Sequence, residues 1–161
     1  MSPTFSKRPL PLYALDGGEP ALDFAHRWWR SRRDGSRLPS RAEVDDWAFR
    51  LLLAGARWID VRSPESAEWS LAPLAGWLGK LPDAARSELE VSLRDDCRAA
   101  RRDGVVLAQD LAVAGRGGGW RQLVLPHADD GVNVLDLLVV TAARPRAGAA
   151  RPPRAATGGA R

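Results

Sequence analysis

The chain has 161 residues, 45% hydrophobic and 27% charged, which is the composition of one ordinary globular domain and excludes a disordered chain or a membrane bundle. Its single cysteine, Cys97, excludes an internal disulfide, and with only two histidines beside it no Cys/His metal set is expected. The formal charge is +4, yet residues 144–161 hold five arginines and no acid, leaving 19 basic against 20 acidic side chains in the rest; the domain proper does not call for a polyanion.

The first 18 residues lack a continuous apolar stretch and are interrupted by Pro3, Pro9 and Pro11, so they do not read as a secretory signal. No apolar run approaches the roughly 20 residues of a spanning helix. A cytoplasmic protein without membrane contact is expected. Residues 1–17 and the Arg/Pro/Gly/Ala-rich residues 144–161 are expected to be disordered, because neither stretch buries enough apolar surface to offset the entropy of ordering. The domain is expected over residues 18–143.

The first helix is predicted from Pro20 to Arg33, with proline in its first turn and Gly35 ending it. Leu22, Ala25 and Trp29, flanked by Ala21, Phe24 and Trp28, make a broad apolar stripe, with Arg27, Arg30 and Arg33 largely off it. The stretch "RWWRSRRDGSRLPSR" (27–41) therefore reads as a helix and its exit rather than a nucleic-acid arm. Ser40 and Glu43 have the spacing of a capping box. "WAFRLLLAG" (47–55) is predicted as a short helix, "ARWIDVR" (56–62) as a strand, "AEWSLAP" (67–73) as a second strand and "LAGWLGKL" (74–81) as helical. A longer helix is predicted from Pro82 to Arg102, with Ala85, Leu89, Leu93, Cys97 and Ala100 on one stripe and Gly104 closing it.

From Val105 the period changes to two. "VVLAQDLAVA", "WRQLVLP" and "VNVLDLLVVTA", separated by "GRGGG" and "HADDG", predict a three-strand antiparallel meander with turns at Gly115–Gly119 and Asp129–Gly131. Asp136, a carboxylate on an apolar strand face, is either edge-exposed or paired, and Arg121 across the hairpin is the partner expected for it.

Two strands, a run of helices and a three-strand meander form the PAS order, an α+β fold with a five-stranded antiparallel sheet, helices packed on it and an N-terminal amphipathic capping helix. Two longer stretches strengthen the likeness. "WWRSRRDGSRLPSRAEVDDWAFRLLLAGARWIDV" and "GWRQLVLPHADDGVNVLDLLVVT" resemble the opening and the ending of a bacterial family of small stand-alone PAS proteins, formerly a domain of unknown function. That family carries L/M-P-x-R-x-[DE]-[IV]-D near its start and L-L-P-L-x-D-D-G near its end. The resemblance covers residues 24–62 and 105–142. It breaks in between, where Ala72-Pro73 stands in place of a Gly-Thr pair in the wall of the PAS cavity.

Candidate sites follow. Trp58, Trp69, Trp77 and Trp120 are weak candidates for stacking a flat ligand, although filling of the cavity is the favoured role for large aromatics, and a small, dry pocket without a cofactor is expected. Phe24, Trp28 and Trp29 are weak candidates for contact with a protein. Cys97 is expected to be a core residue. His127 with Asp129 and Asp130 could be read as a general base with orienting acids, but Asp-Gly between two period-two runs explains the aspartates as turn formers; no catalytic set is expected. The resemblance implies a non-catalytic signalling or regulatory module. It would act by homodimerising or docking a protein partner through the first helix and the exposed sheet face, with small-molecule sensing optional. The alternative is nucleic-acid binding through the Arg-rich tail and the Arg27–Arg41 surface.

Overall fold

The computed structural model describes residues 5–15, 19–44, 56–62, 81–113 and 119–144. It is an α+β fold, with one five-stranded antiparallel sheet and, among the described residues, two α-helices. The strands are β1 (Phe5–Pro9), β2 (Ala56–Asp60), β3 (Leu107–Val113), β4 (Gly119–His127) and β5 (Asp136–Arg144), arranged β1-β3-β4-β5-β2 across the sheet. The helices are α1 (Pro20–Arg32) and α2 (Asp83–Asp103).

The expected meander is present as β3, β4 and β5, paired in register from Leu107↔Val124 and Gly119↔Arg144 onward. The expected first strand, β2, lies beside β5, with Trp58 opposite Leu138. The predicted helix at 47–55, the second strand at 67–73, the helical stretch at 74–81 save Leu81, and the tail from 145 all lie outside the described residues.

Among the described residues, the fifth strand of the sheet comes from the N-terminus. Residues 5–9, expected to be disordered, pair with β3 from Phe5↔Val113 to Pro9↔Gln109, and a 3-10 turn at Leu12–Leu15 buries Leu15. The physical reason is that local composition undercounted what β1 gains from outside itself. Phe5 packs on the cluster of Leu111, Val113 and Trp120, and Lys7 Nζ reaches both carboxylate oxygens of Asp96 on α2, at 2.8 and 2.9 Å.

Alternation along the paired strands divides the sheet into two faces. One carries Phe5, Lys7, Leu111, Val113 and Trp120 and meets α2, whose stripe of Ala85, Leu89, Leu93, Cys97 and Ala100 is buried as its spacing predicts. The other carries Leu123, Leu125, Leu138 and Val140 and meets α1, anchored where the Trp29 indole N–H donates to the Pro126 carbonyl at 2.8 Å. Leu123, Val124, Leu125, Leu137, Leu138 and Val140 are all fully buried. Among the described residues, β4 and β5 have a helix against each face, so the exposed sheet face expected for docking is not found over these two strands.

Gly104, at φ 61°, ends α2 in the left-handed conformation and its N–H returns to the Ala100 carbonyl. The end of α1 differs from expectation. Arg33 closes it in an extended conformation, and Gly35 lies beyond, in a tight Asp34–Arg37 turn. The Ser40–Glu43 capping box forms as predicted, around a single 3-10 turn.

Deleting residues 1–9 removes β1, leaves Asp96 without Lys7 and bares the edge of β3. We expect a loss of about 2–3 kcal/mol in urea unfolding, with far-UV circular dichroism otherwise retained. An unchanged midpoint would show that β1 holds nothing.

Candidate functional site

The two stretches that carry the family resemblance are far apart in sequence and meet in space. Leu38 N–H donates to the Gly131 carbonyl and Ala128 N–H to the Pro39 carbonyl, both at 2.9 Å, so "LPSR" lies along "HADDG". Ser40 Oγ donates to Asp129 Oδ1 at 2.7 Å. Gly131 sits at φ 80°, and a Cβ there would collide with the Arg37 side chain, so this position needs glycine on both counts.

The β4–β5 connection is wider than the tight Asp-Gly hairpin expected. His127 pairs with Asp136, which leaves residues 128–135 as the loop. Asp130 builds that loop, its carboxylate accepting from the Val132 and Asn133 amides and the Asn133 side chain, and these bonds hold its pKa below the usual carboxylate value. Both aspartates are thus engaged in the loop and its seam.

Asp136 is 2% exposed and starts β5. Arg41 Nη1 donates to its Oδ1 at 3.0 Å, and Arg62 stands 3.9 Å from its Oδ2. The expected partner, Arg121, pairs instead with Asp110, its direct cross-strand neighbour, at 3.2 Å. Cross-strand reasoning found Arg121 a partner but chose the wrong strand. The guanidiniums that reach Asp136 come from the 3-10 turn and the exit of β2, and the L-P-x-R motif was the available signal for Arg41.

Beside this pair lies an aromatic cluster. The Arg41 guanidinium rests over the Trp58 ring at 4.8 Å; Trp58 meets the His127 ring edge-on at 4.8 Å, and Trp28 stacks on it at 6.1 Å. His127 is 1% exposed, and its Nδ1 lies 3.0 Å from the Leu125 carbonyl. Its Nε2 has no hydrogen-bond partner among the described residues. Burial first, and Arg41 to a lesser degree, push its pKa down to about 4 from the ordinary 6.5, against the opposing pull of the Leu125 carbonyl and Glu43.

Of the other sequence candidates, Trp29 is 2% exposed and acts in packing, while Phe24 and Trp28 are half-buried against the core. Trp120 is buried under α2, and Trp58 is half-buried in the cluster above. Trp69 and Trp77 lie outside the described residues. Cys97 is buried, and burial followed by the nearby Asp96 charge pushes its thiol up to about 12, so it stays protonated and inert.

Sequence reasoning missed a cleft of about 510 Å³ between α1, the Leu12–Leu15 turn and the α2–β3 junction. Leu12, Tyr13, His26, Trp29, Val105 and Val106 supply its walls, with Arg30, Arg33, Asp103 and Gly104 completing them. Three separate segments build it, and only the exposed face of the arginine-rich helix end was legible beforehand.

No protein-family model matches the chain, and no curated protein or solved structure matches it. The PAS likeness rests on the residues quoted above; the α+β fold with its five-stranded antiparallel sheet is compatible with it. Among the described residues no helix is long and apolar enough to cross a membrane.

The neutral His127 generates a pH prediction. Its folded pKa lies below the unfolded one, so as pH falls the unfolded chain takes up this proton first. Its contribution is whole above about 6.5, declines as pH falls to about 4 and declines no further below that. We expect a loss of roughly 3 kcal/mol across this window, read from urea midpoints between pH 7 and pH 4. His127→Phe should flatten that part of the profile; an undiminished slope in the variant would assign the titration to another group.

Proposed function

We propose that the chain is a PAS-like regulatory module that works, without chemistry of its own, by docking a protein partner in the cleft between α1 and the α2–β3 junction. The element order supports the PAS part of the reading: a strand, a long helix and then the three-strand meander, with the first strand returning beside the last. The buried carboxylates support the non-catalytic part, since Asp96 and Asp136 are held by Lys7, Arg41 and Arg62 in bonds that tie elements together.

One observation carries the docking part. Leu12, Tyr13 and Val105 are exposed by 38%, 77% and 45%, and these three residues from two distant segments gather around one cleft. Exposed apolar side chains scattered singly need no explanation; a gathering of them around a concavity marks a binding surface. Both faces of β4 and β5 meet helices among the described residues, which favours the rim of the domain as the place of association.

Arg30, Arg32 and Arg33 are exposed on one end of α1, and this favours a second reading, nucleic-acid binding by these arginines with the arginines of residues 144–161. Such binding would be sequence-independent and steeply weakened by salt.

A displayed random-peptide library, selected on the wild-type protein and depleted on a Tyr13→Asp, Val105→Asp variant, tests the docking reading. We expect peptides that bind the first and not the second. If nothing is enriched after depletion, or if the full chain instead binds RNA with strong salt dependence and the two substitutions leave that binding intact, the docking reading falls.

A further inference from the structure

We infer that the occupant of the cleft is an acidic segment of a partner protein carrying one large apolar side chain, an inference that rests on the cleft being the docking surface. The walls divide by chemistry. Tyr13, Leu12, Val105 and Val106 offer an apolar side, and Arg30 and Arg33 stand one helical turn apart on the other. Arg30 has no ion-pair partner among the described residues, and Arg33 is held in place rather than neutralised. Its guanidinium lies 5.4 Å from the Trp29 ring centre, and its Nε donates to the Gly35 carbonyl. Among the described residues no hydrogen bond engages its two Nη nitrogens, which leaves them to meet a carboxylate, the group whose geometry they match.

Among the described residues the wall holds one acid, Asp103, and it does not cancel this charge. Asp103 is engaged by Arg102 through two bonds of 2.8 Å, which lower its pKa. His26 completes the wall as a buried side chain.

Charge also decides among occupants. A second copy docked isologously would set Arg30 and Arg33 near their own duplicates, with Arg32 close by, which like-charge repulsion disfavours. The chain's own residues 144–161 are rich in arginine and contain no acid, so they are repelled as well. A small free acid would suit an enclosed pocket that covers most of its surface. Tyr13, at 77% exposure, stands on the rim of this cleft, where a passing chain would cover it. An apolar anchor seated against Val105 and Val106, with carboxylates on both sides of it, satisfies both walls at once.

The test uses the ¹⁵N-labelled full chain and three probes: the blocked peptide Asp-Glu-Phe-Gly-Asp-Glu, the same peptide with lysine at its four acidic positions, and 4-phenylbutyrate. We expect the acidic peptide to shift the Tyr13, Val105 and Val106 amides and the Trp29 indole N–H. Arg30→Glu with Arg33→Glu should weaken it by about tenfold or more and admit the lysine peptide instead. Retained dispersion of the amide spectrum controls for folding, and Arg30→Gln, with a smaller loss of the same sign, serves if the double variant unfolds. Equal binding of both peptides to the wild type would overturn the inference, as would shifts produced by phenylbutyrate and not by the peptide. If the displayed library yields cleft-dependent peptides without acidic residues, the inference falls and docking stands; if it yields none, both fall.

Discussion

A carboxylate buried at the head of a central strand is tolerated only if a cation is brought to it, and the arrangement of this domain depends on how Asp136 is met. An unpaired charge at 2% exposure would cost several kcal/mol or force the strand end open. The cation comes from Arg41, 95 residues away in sequence, so residues 38–41 cannot leave the sheet freely. The hydrogen bonds of Leu38 and Pro39 to the 128–131 loop hold that segment along β4–β5, and Ser40 joins it by bonding Asp129 while capping its own turn. Removing Asp136 would release more than one ion pair. It would free the seam where the two motif-bearing halves of the chain are joined.

The same seam explains the aromatic residues. Arg41 reaches Asp136 across the face of Trp58, which orients Trp58 against His127, and Trp28 closes the other side. His127 is neutral because these rings exclude water from it, and its neutrality avoids placing a second cation next to Arg41. The paired tryptophans of α1 thus divide the work: Trp29 fixes the helix to the Pro126 carbonyl and Trp28 covers the adjacent histidine. Their conspicuous place in the sequence reflects packing on one strand end.

Where the physics is local, the sequence was easy to read. The stripe of α2 and its Gly104 stop, the capping box at Ser40 and the change to period two at Val105 each rest on neighbours within a few positions, and each formed nearly as expected. Where stability comes from a distant partner, the reading failed or stayed blank. "FSKRP" has a weak strand signal and becomes β1 because Lys7 finds Asp96 and Phe5 finds Leu111 and Val113, contacts no window of the sequence contains. Asp136 read as either edge-exposed or paired with Arg121, and finding Arg41 in its place required knowing that Asp110 already faces Arg121. The cleft was illegible for the same reason, since its apolar rim is assembled from residues about 90 positions apart.

The cleft and the seam share Trp29, and this sets the character of the site. One edge of that indole is fixed by the Pro126 carbonyl, the residue before His127, and its ring carries Arg33. A wall held from behind by a buried hydrogen bond does not have to be ordered when a partner arrives, so less of the interaction energy is lost to immobilising it. Contiguity alone does not make the path from Arg33 through Trp29 to the Arg41–Asp136 pair a signalling route, because coupling requires an element with two stable arrangements and every contact along it is mutually compatible as it stands. The arrangement favours a rigid surface: under the docking proposed above, regulation would come from whether the partner segment is present and charged rather than from a change of shape in this domain.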